Sequence, residues 1–270
     1  MTSADRPGDA GDAAEANPGA AISLIGVSKV FEVRRGHSVT ALEGFDLRVG
    51  DGEFVALIGP SGCGKSTALR LIAGLDIPNA GTVLNFAEPP HKLVKAGGIG
   101  MAFQDHALMP WLSVRSNVGL PFRIRGEAVD RDKVNELIEL VGLTGFEKAR
   151  PKHLSGGMRQ RVSIARALAL NPTVLLLDEP FGALDAVTRR ALNLELQHLW
   201  SRLKITTVLV THSVEEAMLL SDRVAVMSQR PGRVILERDA PFPRPRYKDV
   251  SQSAEFKALH DELIDALDSQ

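Results

Sequence analysis

Apolar positions run through this chain in two rhythms. As far as residue 103 they fall in short blocks cut by Gly and Asp, which predicts strands at Ile22 to Val27, Phe45 to Val49, Phe54 to Ile58, Thr82 to Leu84 and Ile99 to Phe103. One helix stands among them, Ser66 to Ala73, ended by Gly74. Between Ser113 and Leu143 the period turns helical, with Val134, Leu137, Ile138 and Val141 spaced i, i+3, i+4, i+7. This reads as a helical insertion near residues 105 to 170. Strands and helices then alternate: helix Gly156 to Leu170, strand Thr173 to Leu177, helix Ala186 to Leu203, strand Thr207 to Val210, helix Val214 to Leu220 and strand Arg223 to Met227. Such alternation predicts an α/β fold with a parallel sheet covered on both faces.

The two ends differ from the body. Residues 1–20 are rich in Ala, Gly, Asp and Pro without periodicity, and are expected to stay disordered because they bury too little to offset ordering entropy. Asp5, Asp9, Asp12 and Glu15 with no apolar run also argue against an export signal. At the other end Phe256, Leu259, Leu263, Ile264 and Leu267 form an amphipathic stripe. The expected layout is therefore a tail over 1–20, a body over 21–240 and a C-terminal tail with an amphipathic helix over 241–270. Residues 85–98, with Pro89-Pro90-His91, receive no role.

Composition narrows the function. Of 270 residues, 44% are hydrophobic, and 32 Lys plus Arg against 33 Asp plus Glu leave a net charge of -1. No basic excess marks a nucleic-acid binder. The apolar runs fall short of the ~18 to 20 residues that span a bilayer, so a membrane function requires other subunits. The one cysteine, Cys63, excludes an intramolecular disulfide, and the histidines follow no zinc-binding pattern. A reducing cytoplasm suits this usage.

The strongest chemical signal is Gly59-Pro60-Ser61-Gly62-Cys63-Gly64-Lys65-Ser66-Thr67, which matches G-x-x-x-x-G-K-[ST] between an apolar strand and a helix. Its glycines let successive amides face phosphate oxygens, and the helix N-terminus adds partial positive charge. In that pattern Lys65 neutralises the β- and γ-phosphates of ATP and Ser66 ligates Mg²⁺. A second apolar strand, Val174 to Leu177, ends in Asp178-Glu179, delivering Asp178 to the Mg²⁺ side of the phosphates and Glu179 as candidate general base. In Leu154-Ser155-Gly156-Gly157-Met158, Ser155 can cap a second helix whose N-terminus is open to an anion.

With Arg159-Gln160-Arg161 and Ala165-Arg166-Ala167 after it, that last run resembles the signature segment of ABC-transporter ATPase subunits. The resemblance extends from Ile22 to about Asp239. Phe31 matches the aromatic that stacks on adenine, and Gln104 the glutamine that senses the γ-phosphate, Mg²⁺ and the transmembrane partner. Asp185 looks like the loop coupling two ATP sites, and His212 like the switch histidine. A lone Phe, Gln or His is more often structural; in the family's order they support one another. His153, where Gln is common, and Arg150, where an aromatic is frequent, depart from the pattern.

The resemblance implies a P-loop NTPase core with a parallel sheet, an antiparallel β lobe and the helical insertion. It also implies a head-to-tail homodimer in which Lys65, Ser66, Gln104, Asp178, Glu179 and His212 of one subunit face Ser155, Gly156 and Gly157 of the other. Integral membrane permease subunits would supply the pore and a periplasmic or lipid-anchored binding protein the solute. The chain itself would lie at the cytoplasmic face of the inner membrane, with no nucleic acid as partner. Met109-Pro110-Trp111-Leu112-Ser113-Val114, Asn117-Val118, Pro231-Gly232-Arg233 and Pro241 through Arg246 resemble the nitrate, sulfonate and taurine importer branch. Two other readings are a soluble ABC protein of translation or DNA repair and a P-loop small-molecule kinase. Such soluble proteins usually carry paired cassettes or long coiled coils, and the kinase would not need the signature.

Overall fold

The computed structural model describes residues 19–33, 37–182 and 186–269. Its centre is a six-stranded sheet in the order β5-β6-β7-β3-β8-β9, formed by β3 (Phe54–Ile58), β5 (Ile99–Ala102), β6 (Val174–Asp178), β7 (Thr206–Val210), β8 (Arg223–Met227) and β9 (Val234–Asp239). All neighbours pair in parallel except β9, which runs antiparallel to β8. Every residue of β3 and β7 is buried, as strands covered on both faces require.

Because successive side chains point to opposite faces, each central strand feeds two cores. Phe54, Ala56 and Ile58 join Leu175, Leu177 and Leu209 on one side, where α6 (Gly156–Ala167), α7 (Ala186–Leu203), α8 (Val214–Leu220) and α10 (Ala254–Asp268) lie. Val55 and Leu57 join Val174, Leu176, Val208 and Val210 on the other, against α1 (Lys65–Ile72) and a three-stranded antiparallel sheet. That sheet orders β2 (His37–Gly50), β1 (Ala20–Val33) and β4 (Ala80–Asn85) as β2-β1-β4. β1 and β2 run past the predicted strands at ends where, Ala21, Ala41 and Leu42 apart, no described residue is buried and the apolar pattern is weak. β1 begins at Ala20, one residue inside the expected tail; residues 1–18 lie outside the described residues.

Some elements lie outside the predicted set. Residues 85–98 contain α2 (Pro90–Ala96), which starts with a proline at its first turn and ends on Gly97 at φ 75°, the positions where each residue costs least. β9 is an edge strand with no buried position, so its pattern is weak. The insertion holds α3 (Val114–Val118), α4 (Leu120–Ile124) and α5 (Arg131–Leu140), the last capped by Asp130, whose carboxylate accepts from Lys133 N at 2.9 Å. The predicted stripe Val134, Leu137, Ile138 and Val141 is buried in the α6 to α8 core.

The segment after Asp239 belongs to that same core. Arg246 is 2% exposed and donates to the carbonyls of Met218 (2.5 Å), Ser221 (2.6 Å), Ala240 (2.8 Å) and Phe242 (2.9 Å). Met218 and Ser221 belong to the C-terminal end of α8, whose carbonyls have no helical partner. Arg244 stacks 4.1 Å from the Trp200 ring and donates to Leu220 O at 2.6 Å. Burial, then the charge of Arg244, pushes the Arg246 guanidinium down to about 10. A short helix, α9 (Lys248–Gln252), leads into α10, which buries Phe256 and Leu263. Replacing Arg246 with Ala leaves four carbonyls without this donor and is expected to cost about 3 kcal/mol of stability, read as a lower urea midpoint at unchanged m-value.

Candidate active site

β3 runs into the glycine-rich loop, and α1 starts at Lys65. A Cβ at Gly59 would stand 2.9 Å from Cys63 Sγ and 3.0 Å from Met227 O, so only glycine lets the loop curl there. Gly62 and Gly64, at φ 78° and 110°, carry the turn that brings the chain back to the helix. Lys65 is 5% exposed and folds over the loop, donating from Nζ to Gly59 O at 2.7 Å and Pro60 O at 2.9 Å. Pro60, Ser61 and Thr67 complete the loop, with Ser61 exposed and Thr67 half-buried.

Asp178 closes β6, next to β7 and across from the loop. Ser66 Oγ donates to Asp178 Oδ1 at 2.9 Å. Burial pushes the Asp178 carboxyl up, the Ser66 hydroxyl pulls it down, and the neighbouring Glu179 charge pushes it up again. A hydroxyl beside a partly buried carboxylate fits Mg²⁺, which takes one or two protein oxygens and completes its shell from phosphates and water. Among the described residues no group of three or more acidic, His or Cys side chains forms a closed metal cage.

Glu179 occupies the left-handed region at φ 45°, a strained position for a residue with a side chain, fixed by its N–H donating to Val210 O at 2.9 Å. Two candidate residues converge on its carboxylate: Gln104 Nε2 donates to Oε2 at 3.1 Å, and His212 Nδ1 lies 3.5 Å from the same oxygen. Gln104, expected also as a metal ligand, donates here to Glu179, the neighbour of Asp178. Gly182 borders this corner, where a Cβ would sit 3.4 Å from Glu179 Oε2 and 3.5 Å from His212 Cε1, ordinary contact distances.

Residues without a sequence signal hold these groups. Thr211 and Glu216 are buried, and the Thr211 hydroxyl donates to the Glu216 carboxylate, whose acidity burial weakens. Ser213 caps α8 by accepting from Glu216 N at 3.2 Å, so His212 sits directly before a fixed helix start. Beyond Gln104, Arg166 of α6 donates to the carbonyls of His106 (2.8 Å) and Ala107 (2.5 Å), both at positive φ. Burial holds the His106 imidazole below its usual value. Residues 104–107 are therefore tied at one end to Glu179 and at the other to α6.

Ser155 caps α6, its Oγ accepting from Met158 N at 3.2 Å, with Gly156 and Gly157 opening the helix. Among the described residues no hydrogen bond joins Ser155, Gly156 or Gly157 to the phosphate loop. Phe31 stands on β1, 38% exposed, with Lys29 Nζ 5.1 Å from its ring centre. Asp185 lies outside the described residues. His153 sits in a single 3₁₀ turn, Pro151–His153, exposed and directly before Leu154 and Ser155.

A phosphate loop, an acidic strand end, a capped Ser-Gly-Gly helix and a glutamine and histidine sharing one glutamate have a counterpart among known proteins. The family described as ABC transporter matches residues 42–182. The chain belongs to the ABC transporter family. It is similar to the aliphatic sulfonates import ATP-binding protein SsuB of Bacillus cereus, at 45% identity over 240 residues, covering 88% of this chain and 94% of that one. It is 44% identical over 261 residues to the bicarbonate transport ATP-binding protein CmpC of Synechocystis sp., covering 92% of this chain and 38% of that longer one. A solved dimeric structure of a bacterial ABC transporter cassette superposes with a TM-score of 0.72 at 34% identity, over 82% of this chain and all of that one. A post-hydrolysis state of the same cassette, bound to ADP and Pi, gives 0.71 at 33% identity, with the same coverage. As a member of this family the ABC chain is an ATPase with an α/β cassette fold.

Proposed function

We propose that this ABC ATPase drives an importer, closing as a head-to-tail dimer on two ATP molecules and powering membrane subunits that admit a small oxyanion such as an aliphatic sulfonate, taurine or nitrate. The observation that carries the dimer is the split site. Lys65, Ser66, Gln104, Asp178, Glu179 and His212 gather at one sheet edge, while the capped N-terminus at Ser155 makes no hydrogen bond to their loop. A helix N-terminus suited to an anion, yet not joined to the phosphates of its own chain, is what a second subunit's ATP would use. The C2 pairing makes two such sites.

Within each site the chain supplies position and charge. The loop amides and Lys65 hold the β- and γ-phosphates, Lys65 exchanging its two backbone carbonyls for phosphate oxygens. Ser66 and Asp178 would hold Mg²⁺, which neutralises charge on the phosphates. Glu179 orients the attacking water and takes its proton, steadied by Gln104 and His212. Phe31 offers a ring face to adenine. Because each γ-phosphate touches both subunits, ATP favours the closed pair and hydrolysis releases it.

Among the described residues no helix is long and apolar enough to cross a membrane. A groove of about 450 Å³ lies beside Gln104, lined by Met101, Phe103, Met109, Leu120, Pro121 and Ile124. Trp111 and Ile124 are 66% and 76% exposed nearby. Buried Asn117 stitches this rim together, accepting from Met109 N at 2.8 Å and donating to the carbonyls of Met109, Leu112 and Ser113. An apolar groove behind the γ-phosphate glutamine suits a helix of a membrane subunit, and with such a partner the chain would lie at the cytoplasmic face of the inner membrane. The solute-binding protein acts through those subunits.

The cargo reading rests on kinship with sulfonate and bicarbonate ATP-binding proteins. Deleting the gene is expected to impair growth on an aliphatic sulfonate, taurine or nitrate as sole sulfur or nitrogen source and to spare growth on sulfate and ammonium. A strain that grows on all of these but fails on a sugar or an amino acid removes the oxyanion assignment.

A further inference from the structure

The run Pro231-Gly232-Arg233 lies in the turn from β8 to β9, and that turn is seated on the phosphate loop. Ser228 closes the turn: its N–H donates to Arg233 O at 2.9 Å, and its hydroxyl donates to Pro231 O and accepts from Arg233 N, both at 3.0 Å. Gly232 N donates to Ala41 O at 2.9 Å and Gly232 O accepts from Glu43 N at 3.3 Å, joining the turn to β2, and Arg233 pairs with Glu43. A Cβ at Gly232 would come within 2.1 Å of Cys63 O, so backbone presses on backbone.

From this fixed turn Arg230 reaches the tip of the loop, donating from Nε at 3.0 Å and Nη2 at 2.7 Å to the Gly62 carbonyl. The peptide unit is planar, so a held carbonyl also sets the direction of the Cys63 N–H on its far side. That N–H donates to Pro60 O at 3.3 Å, so both sides of the unit are engaged. The flanking glycines, Gly62 and Gly64, are the residues least able to hold a conformation unaided. We propose that Arg230 is a positioning residue for ATP: its forked guanidinium, carried on the β8–β9 turn, fixes the Gly62–Cys63 peptide plane so that the loop is already shaped for the phosphates when nucleotide arrives. This rests on Gly59 to Thr67 being the ATP cradle. The brace acts before the chemistry, so its loss falls on binding and not on turnover.

The test titrates ATP into the full-length chain by calorimetry, alongside thermal unfolding and steady-state ATPase measurements. Arg230→Ala is expected to weaken ATP binding and raise KM about tenfold, with kcat at saturation within about threefold of the parent and unfolding unchanged. Arg230→Lys should fall between, because an ammonium can engage the carbonyl but cannot fork onto it. Arg233→Ala removes the Glu43 pair on the same turn and should bind ATP within about twofold of the parent. Arg230→Ala with parental affinity overturns the proposal. So does an equal loss in Arg233→Ala, which would assign the effect to folding of the turn. Lys65→Ala, run in the same series, separates the two readings: if it binds like the parent, the cradle itself is misassigned and the brace falls with it; if it alone loses ATP, the cradle stands and the brace is wrong.

Discussion

Glu179→Gln is expected to lower ATP turnover by about 10² or more while ATP binding stays at the parental level. The two side chains have the same shape, and the amide can still meet Gln104 and His212, now 3.1 and 3.5 Å from one carboxylate oxygen. What is lost, in the proposed role of Glu179, is the ability to accept the proton of the attacking water. ATP should then persist on the protein and hold the closed pair, seen as a dimer peak in size-exclusion chromatography with MgATP that is missing with MgADP. The backbone strain at φ 45° is unaffected by the exchange, so the variant should fold as the parent does. Parental hydrolysis in Glu179→Gln would show that another group takes the proton.

Ser155→Arg carries the second large effect, a fall of ATP hydrolysis to about a hundredth of the parent or less, because a long cation replaces a short cap at the helix end that the proposed head-to-tail pair turns toward the partner's phosphates. Nucleotide binding to the isolated monomer should stay unchanged, since Ser155 makes no bond to its own loop. Mixing this variant with Lys65→Ala sharpens the test. A mixed pair has one site with both lesions and one with neither, so random pairing of equal amounts should restore up to about a quarter of the parental rate. Should Ser155→Arg lose monomer affinity for ATP as Lys65→Ala does, Ser155 belongs to its own chain's site and the head-to-tail arrangement is wrong.

Much of the site was legible because its parts are local. Gly59 to Thr67 needs only a strand, a glycine turn and a helix in succession, and the residues that make that turn are adjacent in the chain. Asp178 and Glu179 follow the same logic, for a parallel strand presents its C-terminal end to the ligand edge wherever the strand lies in the sheet. Residues 85–98 show the opposite failure. α2 there buries none of its residues, so no apolar stripe announces it, and only Pro90 and Gly97 mark its ends.

The apolar rhythm by itself determined the doubly covered sheet, since period-2 strands such as Phe54 to Ile58 must feed a core on each face, and it determined the phosphate loop through consecutive residues. Only the tertiary structure decided which distant groups secure that loop and the helix that follows His212. Arg230 and Gly62 are 168 residues apart, and Arg246 reaches Met218 across 28. Before folding, an exposed arginine and an arginine whose guanidinium is engaged by backbone carbonyls look alike in sequence. Side-chain to carbonyl bonds carry no period, and which carbonyls lie free at a helix end or loop tip is settled only when the strands take their order.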